Sequence, residues 1–312
     1  MSTNRIKAAD RTKVCQQIVT QLKKKYGSRV PKSDLNVLDS LLFAICLEDA
    51  THERAEATIA RLHDAFFDYN EIRVSSITEV QHVFVDESEP EWRAMRVRES
   101  LQQVFEGRYS YDLEDFKKKN LDAAEKYLKQ ISSLTPFVMS HTMMTTLGTH
   151  TVPVDTSLLK CCIWLGLLPE DADVSAGSDQ LKAAVRKADV PQFFHLIHEL
   201  ANDPAYTPIF TTQPAPTADD PLDALKGSVS RLKDLLDGKV KATAPKTSSS
   251  SSKSKGKTAE KASSGKTTKK STKKTTKSSS GSSSKAAPKS SKSSASRKSG
   301  TTTKKKTKKK SS

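Results

Sequence analysis

Along most of the chain, apolar residues recur every three or four positions, the period of a helix with one buried face. Val14, Ile18, Leu22 and Tyr26 form such a stripe and stop at Gly27, a residue suited to the position just past a helix end. "SDLNVLDSLLFAICLEDA" follows, with Leu38, Leu41, Leu42 and Ile45 on one face. "RAEATIARLHDAF", "SSITEVQHVFV" and "EPEWRAMRVRESLQQVFEG" read as further helices, the last with an acidic start and a glycine end. "DLEDFKKKNLDAAEKYLKQI" divides into two short helices, the second packing through Ala124, Tyr127, Leu128 and Ile131. Farther on, "TSLLKCCIWLGLL" is strongly apolar, "SDQLKAAVRKA" begins on a serine cap, and "VPQFFHLIHELA" carries proline near its start. A Pro/Thr-rich stretch and a helix within "DPLDALKGSVSRLKDLLDG" fill residues 201–238. Strict alternation never persists beyond a few positions. The class expected is all-α, with about ten helices.

Past Gly238 the pattern stops. Residues 239–312 consist almost wholly of Ser, Thr, Lys, Ala and Gly, with no aromatic residue. Such a segment cannot bury enough apolar surface to offset its chain entropy, so a disordered tail is expected. The body is then 1–238 and the tail 239–312. Charge follows the same boundary. The tail holds 24 Lys or Arg and one acid, Glu260, which leaves the body with 28 basic and 35 acidic residues. The overall +16 therefore hides an acidic body joined to a polycation.

Lysine clusters such as "KKSTKK", with Lys269 and Lys270, and "KKKTKKK", with Lys304, Lys305 and Lys306, suit the phosphates of double-stranded DNA. They neutralise phosphates and release counterions, which gives affinity without sequence preference. Interleaved aromatics are missing, so no single-strand stacking platform is indicated. "SSGKTTKK" is not a phosphate loop, because Glu260 stands where the first glycine belongs.

Other classes are disfavoured. The longest apolar runs, such as "LLFAICL", fall far short of the roughly 20 residues that span a bilayer. "MSTNRIKAADRTK" has no apolar stretch of the secretory kind. Cys15, Cys46, Cys161 and Cys162 form no C-x-x-C pair and suit buried thiols in a reducing compartment. His195 and His198 stand at i, i+3 beside Glu199, whereas zinc helices use i, i+4 with a third ligand, so they read as a core or groove wall. No metal, no cofactor and no membrane contact are expected. The expected setting is a cytoplasmic, nucleoid-associated monomer, nuclear in a eukaryote.

One carboxylate stands apart. In "THTVPVDT", Asp155 lies where a short extended segment enters a helix. It is either a helix cap, worth about 1 kcal/mol, or an acid presented to a substrate.

The string resembles the segment after the hairpin in the helix-hairpin-helix DNA glycosylases, the family of endonuclease III, where a "VDTH"-like turn carries the catalytic aspartate. "LLFAICLEDATHERAEATIARL" resembles the early helix pair of that family. "EWRAMRVRESLQQVFEG" takes the place of the helix before the hairpin region. "TSLLKCCIWLGLLP" and "FFHLIHELA" resemble the helices that follow the aspartate. Together these cover most of residues 10–200.

The resemblance implies a two-lobed helical fold, with residues about 35–130 in one lobe and the N-terminal and post-155 helices in the other. It also implies Asp155 as the catalytic acid at the cleft. That carboxylate would stabilise the positive charge that grows on the sugar as a flipped base departs. Glu48, Asp49 and His52 would stand near the base pocket. Ser132, Ser133, Thr135, His141 and Lys160 would stand toward DNA.

Departures accompany the resemblance. The family's hairpin reads "LPGVGRKTA", and the equivalent here is "ISSLTPFVM", residues 131–139. Ser133 and Thr135 replace glycines that let backbone N–H groups approach a phosphate, and Pro136 removes one N–H. Phe137 occupies the position of the Schiff-base lysine, and the nearest lysine, Lys129, precedes the hairpin. No cysteine follows Cys162, so the four-cysteine iron–sulfur loop is absent. The expectation is a monofunctional glycosylase without a lyase step. Its alternative is a catalytically degenerate DNA-binding body, a damage sensor or nucleoid component anchored by the tail. A protein-interaction module whose tail binds RNA or another polyanion is a third possibility.

Overall fold

The computed structural model describes residues 8–32, 34–118, 120–215 and 221–240. The tail beyond Val240, with Lys269, Lys270, Lys304, Lys305 and Lys306, lies outside the described residues. Among the described residues there are thirteen α-helices and no strand, which agrees with the all-α expectation.

The first helices to consider are α1 (Ala8–Tyr26) and α2 (Val37–Leu47). The stripe of Val14, Ile18 and Leu22 is buried as predicted, and Gly27 closes α1 at φ +85°. Ten of the eleven residues of α2 are buried, so this helix is apolar on every side and runs through the centre of the core. Asn36 caps it, its side chain accepting the Asp39 N–H at 2.8 Å.

Around α2 stand α3 (His52–Ala65), α4 (Tyr69–Val74), α5 (Ile77–Gln81) and α6 (Pro90–Arg108). The same group continues with α7 (Leu121–Leu128) and α8 (Pro136–Leu147). Within this group α2 packs on α3, α6 and α8, while α6 also carries α4 and α5. A second group contains α1 with α9 (Thr156–Leu165), α10 (Val174–Ala184), α11 (Val190–Asn202), α12 (Thr207–Thr212) and α13 (Pro221–Leu236). Here α1 packs on α10, α11 and α13, and α9 packs on α10 to α13. This grouping is the two-lobed arrangement the sequence implies.

Two local expectations need correction. Helix α6 does not stop at Gly107 but at Tyr109, which turns left-handed at φ +51° and gives its N–H to Phe105 at 2.7 Å. Gly107 lies exposed within the last turn of α6, where a Cβ would meet the Tyr127 hydroxyl at 3.5 Å, an ordinary contact. Helix α10 begins at Val174, capped by Asp173 rather than by Ser178. Asp173 lies one turn earlier and takes the Ala176 N–H at 2.7 Å, leaving Ser178 Oγ to bond the Val152 carbonyl. The short helices α4 and α12 carry too few residues to show a period.

The four cysteines are free and buried. Burial pushes the Cys46 thiol up to about 12, which keeps it a neutral, inert core group. No helix among the described residues is long and apolar enough to cross a membrane.

Candidate active site

The two helix groups meet at Asp155. It is the N-cap of α9, and its Oδ1 accepts the Leu158 N–H at 2.8 Å. Its Oδ2 accepts the Asp49 N–H at 2.9 Å and the His198 Nε2–H at 2.8 Å. Three donors from α9, the end of α2 and α11 therefore converge on one carboxylate. The side chain has 0% exposure, and that of His198 has 2%. The sequence placed this acid at an open cleft; the structure seals it.

Asp49 completes a reciprocal exchange. While its N–H serves Asp155, its own Oδ1 accepts the Ser157 N–H at 2.7 Å. To do so Asp49 adopts the left-handed region at φ +53°, which a short polar side chain tolerates better than most. The two carboxylates titrate in opposite directions. Burial, then the negative charge of Asp155, raises the Asp49 carboxyl above its ordinary value. Burial would raise Asp155 too, but His198 and the N–H groups of Leu158 and Asp49 outweigh it and hold that carboxyl below the ordinary value.

Glu48 ends α2 and forms an ion pair with Arg96 at 2.8 Å. Buried Arg93 bonds the carbonyls of Ile45 at 2.6 Å and of Glu48, thereby holding the C-terminal turn of α2. Glu48 and Asp49 are thus engaged in joining helices. His52, the third residue expected at a base pocket, does line a cavity of about 200 Å³. Its N–H is given to Glu199 at 3.0 Å, and its ring meets Phe43 edge-on at 5.2 Å.

A layer of rings fills the space beside Asp155. Phe137, 1% exposed, stacks on His198 at 5.7 Å and on His141 at 5.9 Å. Phe194 lies 5.0 Å from His198 and 5.4 Å from His141. The residue in the lysine's place is therefore a packing ring. His141 needs correction: it does not face phosphates but is buried at 4% exposure, because it lies one turn from Phe137 on the inner face of α8.

The segment between α7 and α8 turns the chain as a hairpin. Ser132 gives its N–H to Gln103 Oε1 at 2.7 Å and accepts Gln103 Nε2 at 3.1 Å on its hydroxyl. Ser133 Oγ meets Ser100 Oγ at 2.9 Å, and the Leu134 N–H goes to the Ile131 carbonyl at 3.2 Å. Thr135 caps α8 by accepting the Val138 N–H at 3.2 Å. Pro136 then sits at the first helical position, where its missing N–H costs nothing. The hairpin side chains expected to meet DNA bond within the protein, with Ser132 exposed and Ser133 and Thr135 half-buried, and Lys160 is exposed on α9.

The sequence matches no protein-family model and no curated protein. Among solved structures the chain is similar to endonuclease III in a non-covalent complex with DNA. The identity is 14%, over 71% of this chain and 98% of that one, with a TM-score of 0.50. The chain has the helix-hairpin-helix glycosylase fold. It is also similar to a thermostable thymine-DNA glycosylase, at 12% identity over 62% of this chain and 86% of that one, with a TM-score of 0.47. A third likeness is to an H. pylori 3-methyladenine DNA glycosylase bound to 1,N6-ethenoadenine. There the identity is 11% over 75% of this chain and 99% of that one, with a TM-score of 0.42. Within this glycosylase fold the residues that sequence reasoning missed are Arg93, Phe194 and His198 as the partner of Asp155. "HLIHE" did point to a core or groove wall, but nothing in one sequence pairs position 198 with 155.

Proposed function

We propose that the protein associates with double-stranded DNA on a glycosylase scaffold without hydrolysing the N-glycosidic bond. The observation that carries this reading is the Asp155 carboxylate, with three donors on its two oxygens and no exposed surface. Stabilising a sugar cation requires an oxygen that reaches the sugar. Freeing Oδ2 would strand His198 and the Asp49 N–H in the core, and freeing Oδ1 the Leu158 N–H, at about 1–3 kcal/mol each. The 24 basic residues of 239–312 favour sequence-independent DNA binding that the acidic body does not supply.

A panel of duplexes bearing uracil, alkylated bases, oxidised bases and mismatches tests this. Each is assayed for abasic sites and for retention by the protein. Binding without alkali-labile sites is expected.

A second reading is a monofunctional glycosylase that uses Asp155 and a water, with no lyase step because Phe137 has no amine. The cavity lined by His52, His141 and Phe194 favours it, since Phe194 also touches His198. Base release that Asp155→Asn abolishes, with no strand nick before alkali, would replace the first reading by the second.

A further inference from the structure

A cavity of about 210 Å³ lies within the second helix group, between α1 and the turn from α10 into α11. It shares no lining residue with the cavity at His52, so it stands apart from the rings beside Asp155. Its inner wall is apolar: Cys15, Val185 and Phe193 are 3%, 6% and 1% exposed. Burial pushes the Cys15 thiol up to about 12, so it stays protonated and brings no charge to that wall.

The rim is charged. Arg186 and Asp189 face each other in an ion pair at 2.8 Å, and their charges cancel. Lys23 of α1 is left over. It is half-buried at the cavity wall, and no hydrogen bond or ion pair holds its ammonium among the described residues. Around it α1 carries Arg11, Lys13, Lys24 and Lys25 against a single acid, Asp10. The potential at the rim therefore favours an anion over a cation or a neutral guest. One negative charge suits it better than two, because a second would meet the Asp189 carboxylate.

An apolar floor with a few polar groups at the mouth is the usual form of a small-molecule site. The volume is below the roughly 300–1,000 Å³ of sites for drug-sized ligands, so the guest is limited to one ring or a short chain. We propose that this cavity binds a small monocarboxylate, with its apolar end on Cys15, Val185 and Phe193 and its carboxylate on the Lys23 ammonium.

The test uses the full chain with benzoate as the probe. Toluene, benzylamine and diethyl phosphate serve as the uncharged, cationic and phosphodiester comparisons. Affinity is read by ligand-observed NMR, and the place of binding by the amide resonances of Val19 and Gln192, which line the cavity. Saturable benzoate binding that moves both resonances is expected. Lys23→Gln keeps most of the stem and should weaken that binding about tenfold or more, as for a lost hydrogen bond between charged groups. Val19→Trp, which fills the cavity from α1, should abolish it while the far-ultraviolet circular dichroism stays unchanged. No saturation by benzoate, or binding that survives either substitution undiminished, would overturn the proposal. So would toluene or benzylamine binding as tightly as benzoate. Diethyl phosphate binding as tightly would overturn it too, because the rim would then read a backbone phosphate rather than a carboxylate.

Discussion

Asp49 and Asp155 are two carboxylates on neighbouring turns, and the structure gives them opposite energetic signs. Asp155 is held below its ordinary value, so its ionised form is stabilised by folding. That stability is present above the unfolded pKa, about 3.9, and is lost as pH falls through the lower folded value. Asp155→Ala removes the cap and leaves His198 without its buried partner, so a loss of about 3–5 kcal/mol is expected in urea unfolding at pH 7. Asp49 is raised, so its ionised form opposes folding above the unfolded pKa. Asp49→Asn keeps an oxygen for the Ser157 N–H and suits a left-handed φ. It should leave stability at pH 7 equal or higher, and its advantage should vanish toward pH 3. No loss for Asp155→Ala would show that the exchange of N–H groups does not join the lobes, and a large loss for Asp49→Asn would show that the Asp49 charge does not oppose folding.

At the scale of elements, helices with a long apolar stripe were legible in the sequence. The stripe of α1 and its end at Gly27 follow from periodicity and one glycine. What a single sequence leaves open is what each side chain meets, since Asp155 and His198 are brought together by packing across 43 positions. The hairpin illustrates this. Its place between α7 and α8 came from the resemblance, but its use did not. Ser133 and Thr135 stand where the resemblance expects glycines, and it sets Ser132 and Ser133 toward DNA. In the fold they are tethered to Gln103 and Ser100 of α6. Gln103→Ala should therefore release the Ser132 N–H. A neutral hydrogen bond contributes about 0.5–1.5 kcal/mol net, so amide exchange at Ser132 should quicken about two- to tenfold with the fold unchanged. Unaltered exchange would mean that the tether does not hold the hairpin.

For the whole molecule, charge sets the division of labour. A body with 28 basic and 35 acidic residues is repelled by DNA at long range, and a segment with 24 basic residues is drawn to it. If about six tail charges meet phosphates, log K should fall with log salt at a slope of about −5. Ending the chain after Gly238 should then reduce both the slope and the low-salt affinity for any duplex, damaged or not. The comparison separates two roles that one affinity would merge. A body that reads DNA through its own groups would keep a lesion preference after truncation, with a shallow slope. A body that only rides on its tail would lose binding and preference together. The sealed Asp155 and the bonded hairpin argue for the second outcome, because the Asp155 carboxylate and the Ser132, Ser133 and Thr135 hydroxyls already have partners within the protein. Lesion preference surviving truncation would show that the body opens in the presence of DNA, and the Asp155–His198 contact is where that opening would have to begin.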